Sequence, residues 1–177
     1  HFGNWEWINE ISNQVDPQVK MLSIYRKIKN KAFDELMMDI REQRNTILVE
    51  KSTLLREMIR RRAEKTPVIY GMIADQKPTP KNSHFWIDFL HQDTSFLDGS
   101  ELLARKFNYP IYYVRISCPK RGHYSVDLIP LAIPPYDNVP MFDITKKYAK
   151  LLEEDIKSTP ELWLWTHNRW KFNRQSN

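Results

Sequence analysis

The spacing of Phe33, Leu36, Met37 and Ile40, at i, i+3, i+4 and i+7, constrains this chain more than any other feature, because it is the period of a helix with one apolar stripe. Short apolar stretches of strand length, Val19 to Tyr25 and Ile47 to Val49, lie on either side. Strand, helix and strand in that order predict a layered α/β/α domain with a mixed, largely parallel sheet. The alternation continues along the chain. Leu54, Leu55, Met58 and Ile59 mark a second amphipathic helix ending near Lys65, and Val68 to Ala74 is a continuous apolar run, the pattern of a strand buried on both faces. Phe85 to Leu90 is an aromatic segment, Gly99 to Phe107 reads as a helix, and Ile111–Ser117 and Tyr124–Leu131 are expected to pair as antiparallel strands around Arg121-Gly122. Asp143 is expected to cap a helix carrying Ile144, Tyr148, Leu151, Leu152 and Ile156, and Thr159-Pro160-Glu161 opens a last short one.

No repeat, low-complexity tract or Gly/Ser linker interrupts the 177 residues, so a single domain over 1–177 is expected. With 41 % hydrophobic and 28 % charged residues, the chain has too much apolar material to stay disordered. Its four glycines are too scattered for a dinucleotide or phosphate loop, and the single Cys118 excludes an internal disulfide and a C-x-x-C zinc site. No apolar run approaches the roughly 18 residues that span a bilayer.

In open α/β sheets, ligands bind beyond the carboxyl ends of strands. Asp75, directly after the Val68–Ala74 run, stands where chemistry is expected. The opening His1-Phe2-Gly3-Asn4-Trp5-Glu6 supplies an imidazole and a carboxylate. On a regular helix these two would be about 140° apart, and on a strand they would face opposite sides. A strand-to-helix junction brings them together, with Gly3 allowing the bend, Asn4 capping a helix that runs to about Ser12, and Glu6 in its first turn. Glu6 then orients His1 as a general base. Alternatively, the segment is a plain helix cap with a frayed terminal imidazole; spacing alone leaves both readings open.

The six residues His1 to Glu6 resemble the H-x-x-x-x-[D/E] signature of glycerolipid-type acyltransferases, in the H-F-x-x-x-E form of the late acyltransferases of lipid A biosynthesis. Further blocks follow in the same order: Tyr25-Arg26 with Asn30 and Arg41; Ala74-Asp75-Gln76 with Asn82-Ser83 and Phe85; Phe89 with Gly99 and Leu103-Ala104-Arg105; and Pro160 to Lys171. The resemblance implies that His1 and Glu6 form a catalytic dyad and that Arg41 and Asp75 are critical to activity. Arg41 would bind a phosphate or stabilise developing charge, and Asp75 would position Arg41 or the acceptor. Arg26, Gln76, Arg60 and Arg61 are the expected substrate contacts. No metal or diffusible cofactor is implied, because the acyl thioester is already activated. The implied partners are acyl carrier protein, a lipid A precursor and a membrane surface, with no nucleic acid. The implied location is the cytoplasmic face of the inner membrane. His1 stands directly ahead of a helix, so the sequence reads as a C-terminal fragment, and the resemblance implies that the feeding strand and a membrane anchor lie upstream.

Charge agrees with anionic partners. Lys and Arg number 27 against 22 Asp and Glu, a formal net charge of +5. The stretch Lys51 to Lys65 carries Lys51, Arg56, Arg60, Arg61, Arg62 and Lys65, and the tail adds Arg169, Lys171 and Arg174. A solvated helix face or a docking site for acyl carrier protein or anionic headgroups explains the first cluster. Two rival functions remain: a related acyltransferase acting on another glycolipid or aminolipid, and a basic nucleic-acid-binding module. His84, His91, His123 and His167 lack metal-ligand spacing and read as structural.

Overall fold

The computed structural model describes residues 1–42, 45–172 and 174. The chain is mixed α/β and divides into two compact units, Glu6–Ile73 and His1–Trp5 with Ala74–Asn177. In the first, β1 (Lys20–Tyr25), α1 (Lys31–Arg41), β2 (Thr46–Glu50), α2 (Leu54–Ala63) and β3 (Val68–Gly71) alternate. The three strands form one parallel sheet in the order β2-β1-β3, with Leu22 opposite both Ile47 and Tyr70. Each parallel step is made through a helix, as parallel pairing demands.

The strand at the centre is β1, and its Met21 and Leu22 are buried with Val49, Leu54 and Met58. This corrects the expectation for Val68–Ala74. That run yields only a four-residue edge strand, with Ile69 38 % and Ile73 51 % exposed. A short apolar run has the same composition at an edge as at a centre, so pattern alone does not separate them. Asp75 accordingly lies four residues beyond the end of β3, rather than directly after it.

Helix α1 forms where its periodicity predicts, started by Asn30, whose Oδ1 accepts the Phe33 N–H at 3.1 Å. Its inward face is nevertheless rotated. Phe33, Leu36 and Ile40 are 50, 52 and 49 % exposed, while Asp34 is buried and takes the Ile28 N–H at 2.8 Å. Asp34, Met37, Met38 and Arg41 are the less exposed positions, also at i, i+3, i+4 and i+7. The helix expected from Asn4 to Ser12 is a 3-10 helix, Trp5–Asn13. Its aromatic and β-branched residues are poor α-helix formers.

The other unit holds two antiparallel hairpins, β4 (Phe85–Phe89) with β5 (Gln92–Phe96) and β6 (Ile111–Lys120) with β7 (His123–Ala132). Two-residue connections permit only antiparallel pairing, so among the described residues parallel pairing is confined to the three-stranded sheet. The unit also contains α3 (Gly99–Phe107) and α4 (Asp143–Ser158). Phe89, Phe96, Ile144, Leu152, Ile156 and Trp163 anchor its core. Helix α4 is capped differently from the expectation. The residue before it is Phe142, with φ 66°, and Asp143 is already helical. The buried Glu101 carboxylate of α3 accepts the N–H groups of Phe142 and Thr145 and the Thr145 hydroxyl, at 2.7 to 2.9 Å.

Candidate active site

His1 is placed by backbone pairing with the end of the chain. Gly3 N–H donates to Leu162 O at 2.8 Å, Leu164 N–H donates to His1 O at 3.3 Å, and Phe2 bridges to Trp163. Gly3 makes the bend at φ +60°. The His1 ring meets Trp5 edge-on, 5.2 Å between centroids.

Asp75, buried, faces this imidazole: Oδ1 is 3.0 Å from His1 Nδ1, and Oδ2 is 2.8 Å from the His1 backbone nitrogen. An Nδ1–H donated to a carboxylate leaves the Nε2 lone pair for a proton, which is the tautomer of a general base. Gln76 Nε2 lies 3.5 Å from each ring nitrogen. Of the residues expected in the site, His1, Asp75 and Gln76 are therefore together in one unit.

Glu6 and Arg41 form a pair in the other unit. Arg41 Nε and Nη2 donate to the two Glu6 oxygens at 3.0 and 2.6 Å, a two-pronged fork. That hydrogen bonding is the chief reason the Arg41 pKa is raised. The Arg41 carbonyl accepts from Asn9 Nδ2 at 3.4 Å, and Asn9 Oδ1 accepts from Ser23 Oγ at 2.7 Å, which links the pair to β1. The sequence reading paired Glu6 with His1 and Asp75 with Arg41 or the acceptor. The contacts described here are His1 with Asp75 and Glu6 with Arg41.

The remaining expected substrate contacts differ among themselves. Arg26 is exposed just beyond β1. Arg60 is shared between Glu57 and Glu64, and Arg61 donates to Glu57 at 2.7 Å. The same bonding, Arg60 first, holds the Glu57 carboxyl below its usual range. These two guanidinium groups are thus engaged along their own helix, beside a groove of about 290 Å³ that Ile47, Val49 and Arg56 also line.

Two residues outside the expected set belong to the same unit as His1 and Asp75. His167 Nε2 accepts the Lys77 N–H at 3.4 Å. Arg169 is buried over the Phe96 ring. Burial, then the Lys77 charge, lowers the His167 pKa. Both belong to the C-terminal block, which was the available signal; their spacing gave no hint of the contacts with Lys77 and Phe96. Among the described residues, no group of three or more His, Cys, Asp or Glu could hold a metal ion, and no helix is long and apolar enough to cross a membrane.

Residues 1–172 match the family model described as bacterial lipid A biosynthesis acyltransferase, so the chain belongs to that family. No curated protein matches it.

Proposed function

We propose that this protein transfers a fatty acyl group from the thioester of acyl carrier protein to a hydroxyl of a lipid A precursor at a membrane surface. His1 Nε2 takes the hydroxyl proton as the oxygen attacks the thioester carbonyl. The tetrahedral intermediate then expels the thiolate, which receives that proton back from the imidazolium. An ester and a free thiol result. The observation that carries this reading is the His1–Asp75 contact in a chain of this family. A buried carboxylate on Nδ1 holds the ring in the basic tautomer and stabilises the imidazolium. Arg41, gripped by Glu6, is a rigid cation suited to a precursor phosphate or to developing oxyanion charge.

The motif offers Glu6 as the orienting carboxylate and the distances support Asp75; one assay separates them. With acyl carrier protein thioester and a phosphorylated lipid A precursor, His1→Ala is expected to lower turnover by roughly 10²- to 10⁴-fold. Asp75→Asn is expected to move the pH profile of kcat, and Glu6→Gln chiefly to raise KM for the phosphorylated acceptor. Unchanged turnover in His1→Ala, or transfer only to a different glycolipid or aminolipid, overturns the proposal.

A further inference from the structure

The β6–β7 hairpin carries its polar pairs on the face that meets α4. There Tyr113 is buried, and its hydroxyl donates to Asp155 of α4 at 2.6 Å. Arg115 opposite Asp127 and Ser117 opposite Ser125 share that side of the pleat. An antiparallel sheet covered on one side ordinarily turns polar residues outward on the other. Here the outward positions include Tyr112, Val114 and Ile116 on β6 and Tyr124, Val126 and Leu128 on β7, with Val114 opposite Leu128 and Ile116 opposite Val126. Five of these six side chains belong to residues 38 to 54 % exposed. The sixth, Ile116, is buried where Gly3 lies against it, so the apolar face runs up to the segment that carries His1. The turn adds the exposed Lys120, Arg121 and His123. The hairpin's one acid, Asp127, stands on the α4 side, so no carboxylate of the hairpin shares the outward face or the turn.

We propose that this face docks on an anionic lipid bilayer, with Val114, Val126 and Leu128 in the acyl boundary, Tyr112 and Tyr124 at headgroup level, and Lys120 and Arg121 on lipid phosphates. A contiguous apolar face marks an interaction surface. Tyrosine suits a boundary that is apolar on one side and wet on the other, and each cation beside an anionic surface adds attraction. The same face of a second copy would offer the two cations no anion, and an acidic protein would leave the apolar side chains unmatched. A bilayer of anionic lipid matches both. The purpose, bringing His1 to a lipid acceptor, rests on the acyl-transfer reading above; the binding does not.

The test is co-sedimentation of the 177-residue chain with phosphatidylcholine vesicles, either pure or containing about 30 % phosphatidylglycerol. The wild-type chain is expected to bind the anionic vesicles, and roughly tenfold or more weakly the neutral ones. Val114→Ser with Leu128→Ser is expected to weaken partition roughly tenfold or more. Lys120→Gln with Arg121→Gln is expected to reduce binding on anionic vesicles to nearly the neutral level. Ser125→Ala, on the α4 side, should bind as wild type does. A wild-type chain that stays in solution with both vesicles overturns the proposal, as does either double variant, folded, binding as tightly as wild type. Self-association abolished by Val114→Ser with Leu128→Ser, in a chain that ignores vesicles, also overturns it and assigns the face to a second copy. If that variant does not fold, Lys120→Gln with Arg121→Gln decides: undiminished binding overturns the proposal, and a drop sustains it. Vesicle binding as expected without acyl transfer would remove the acyl-transfer reading and leave the docking face standing. Transfer to a detergent-dispersed acceptor without vesicle binding would do the reverse.

Discussion

Gly3 is the residue on which the seat of His1 turns. At φ +60° an L side chain is strained, and a Cβ built there would sit 2.9 Å from Ile116 Cγ2. Gly3→Ala is therefore expected to cost about 1–3 kcal/mol. Thermal or denaturant unfolding measures this, and a loss under about 0.5 kcal/mol would contradict the geometry. The bend itself was legible, because a glycine between an imidazole and a helix start has few other uses. The contact of His1 with Asp75 was not, since Asp75 lies 74 positions away. Local spacing offers only nearby candidates, and Glu6 was the near one. Arg169 and His167 were likewise visible as members of a block but not as neighbours of Phe96 and Lys77.

Among the elements, α4 shows how a cap can be supplied from elsewhere in the fold. Asp143 has the right chemistry for a cap but already sits inside the helix, paired with Lys147 at 3.6 Å. The capping is done by Glu101 of α3, itself held by Arg105 at 2.8 Å. Glu101→Ala removes three hydrogen bonds to the start of α4 and the carboxylate that pairs with Arg105, leaving that guanidinium on the Val139 and Pro140 carbonyls. We expect a loss of about 3 kcal/mol or more, against under about 1 kcal/mol for Asp143→Ala. Equal losses in denaturant titrations would show that local capping governs this helix after all. Helix α1 gives the complementary lesson. Its existence was legible from the period of its apolar residues, but its inward face was not, because Asp34 satisfies the Ile28 N–H and draws its own side of the helix inward. The hairpins were partly legible: β6 and β7 pair around Arg121-Gly122 as expected, whereas the aromatic segment gave no sign of its partner β5.

For the molecule as a whole, the excess of Lys and Arg gives a net charge of +5. Arg60 and Arg61 are bonded to Glu57 and Glu64, so in the proposed reaction attraction of an acidic carrier would fall to other cations, such as the exposed Lys51, Arg56 and Lys65. Raising ionic strength from about 50 to 300 mM shortens the Debye length by a factor of about 2.4 and is expected to raise KM for the proposed carrier-linked donor several times. kcat should change little. A KM indifferent to salt, or equal use of a small uncharged thioester, would argue against docking by charge.

The backbone bridge between Phe2 and Trp163 carries a consequence for biosynthesis. The imidazole leaves the ribosome well before Trp163, whose backbone bridges to Phe2. Until synthesis has passed the tryptophan this bridge cannot form, and the imidazole waits on it for its seat.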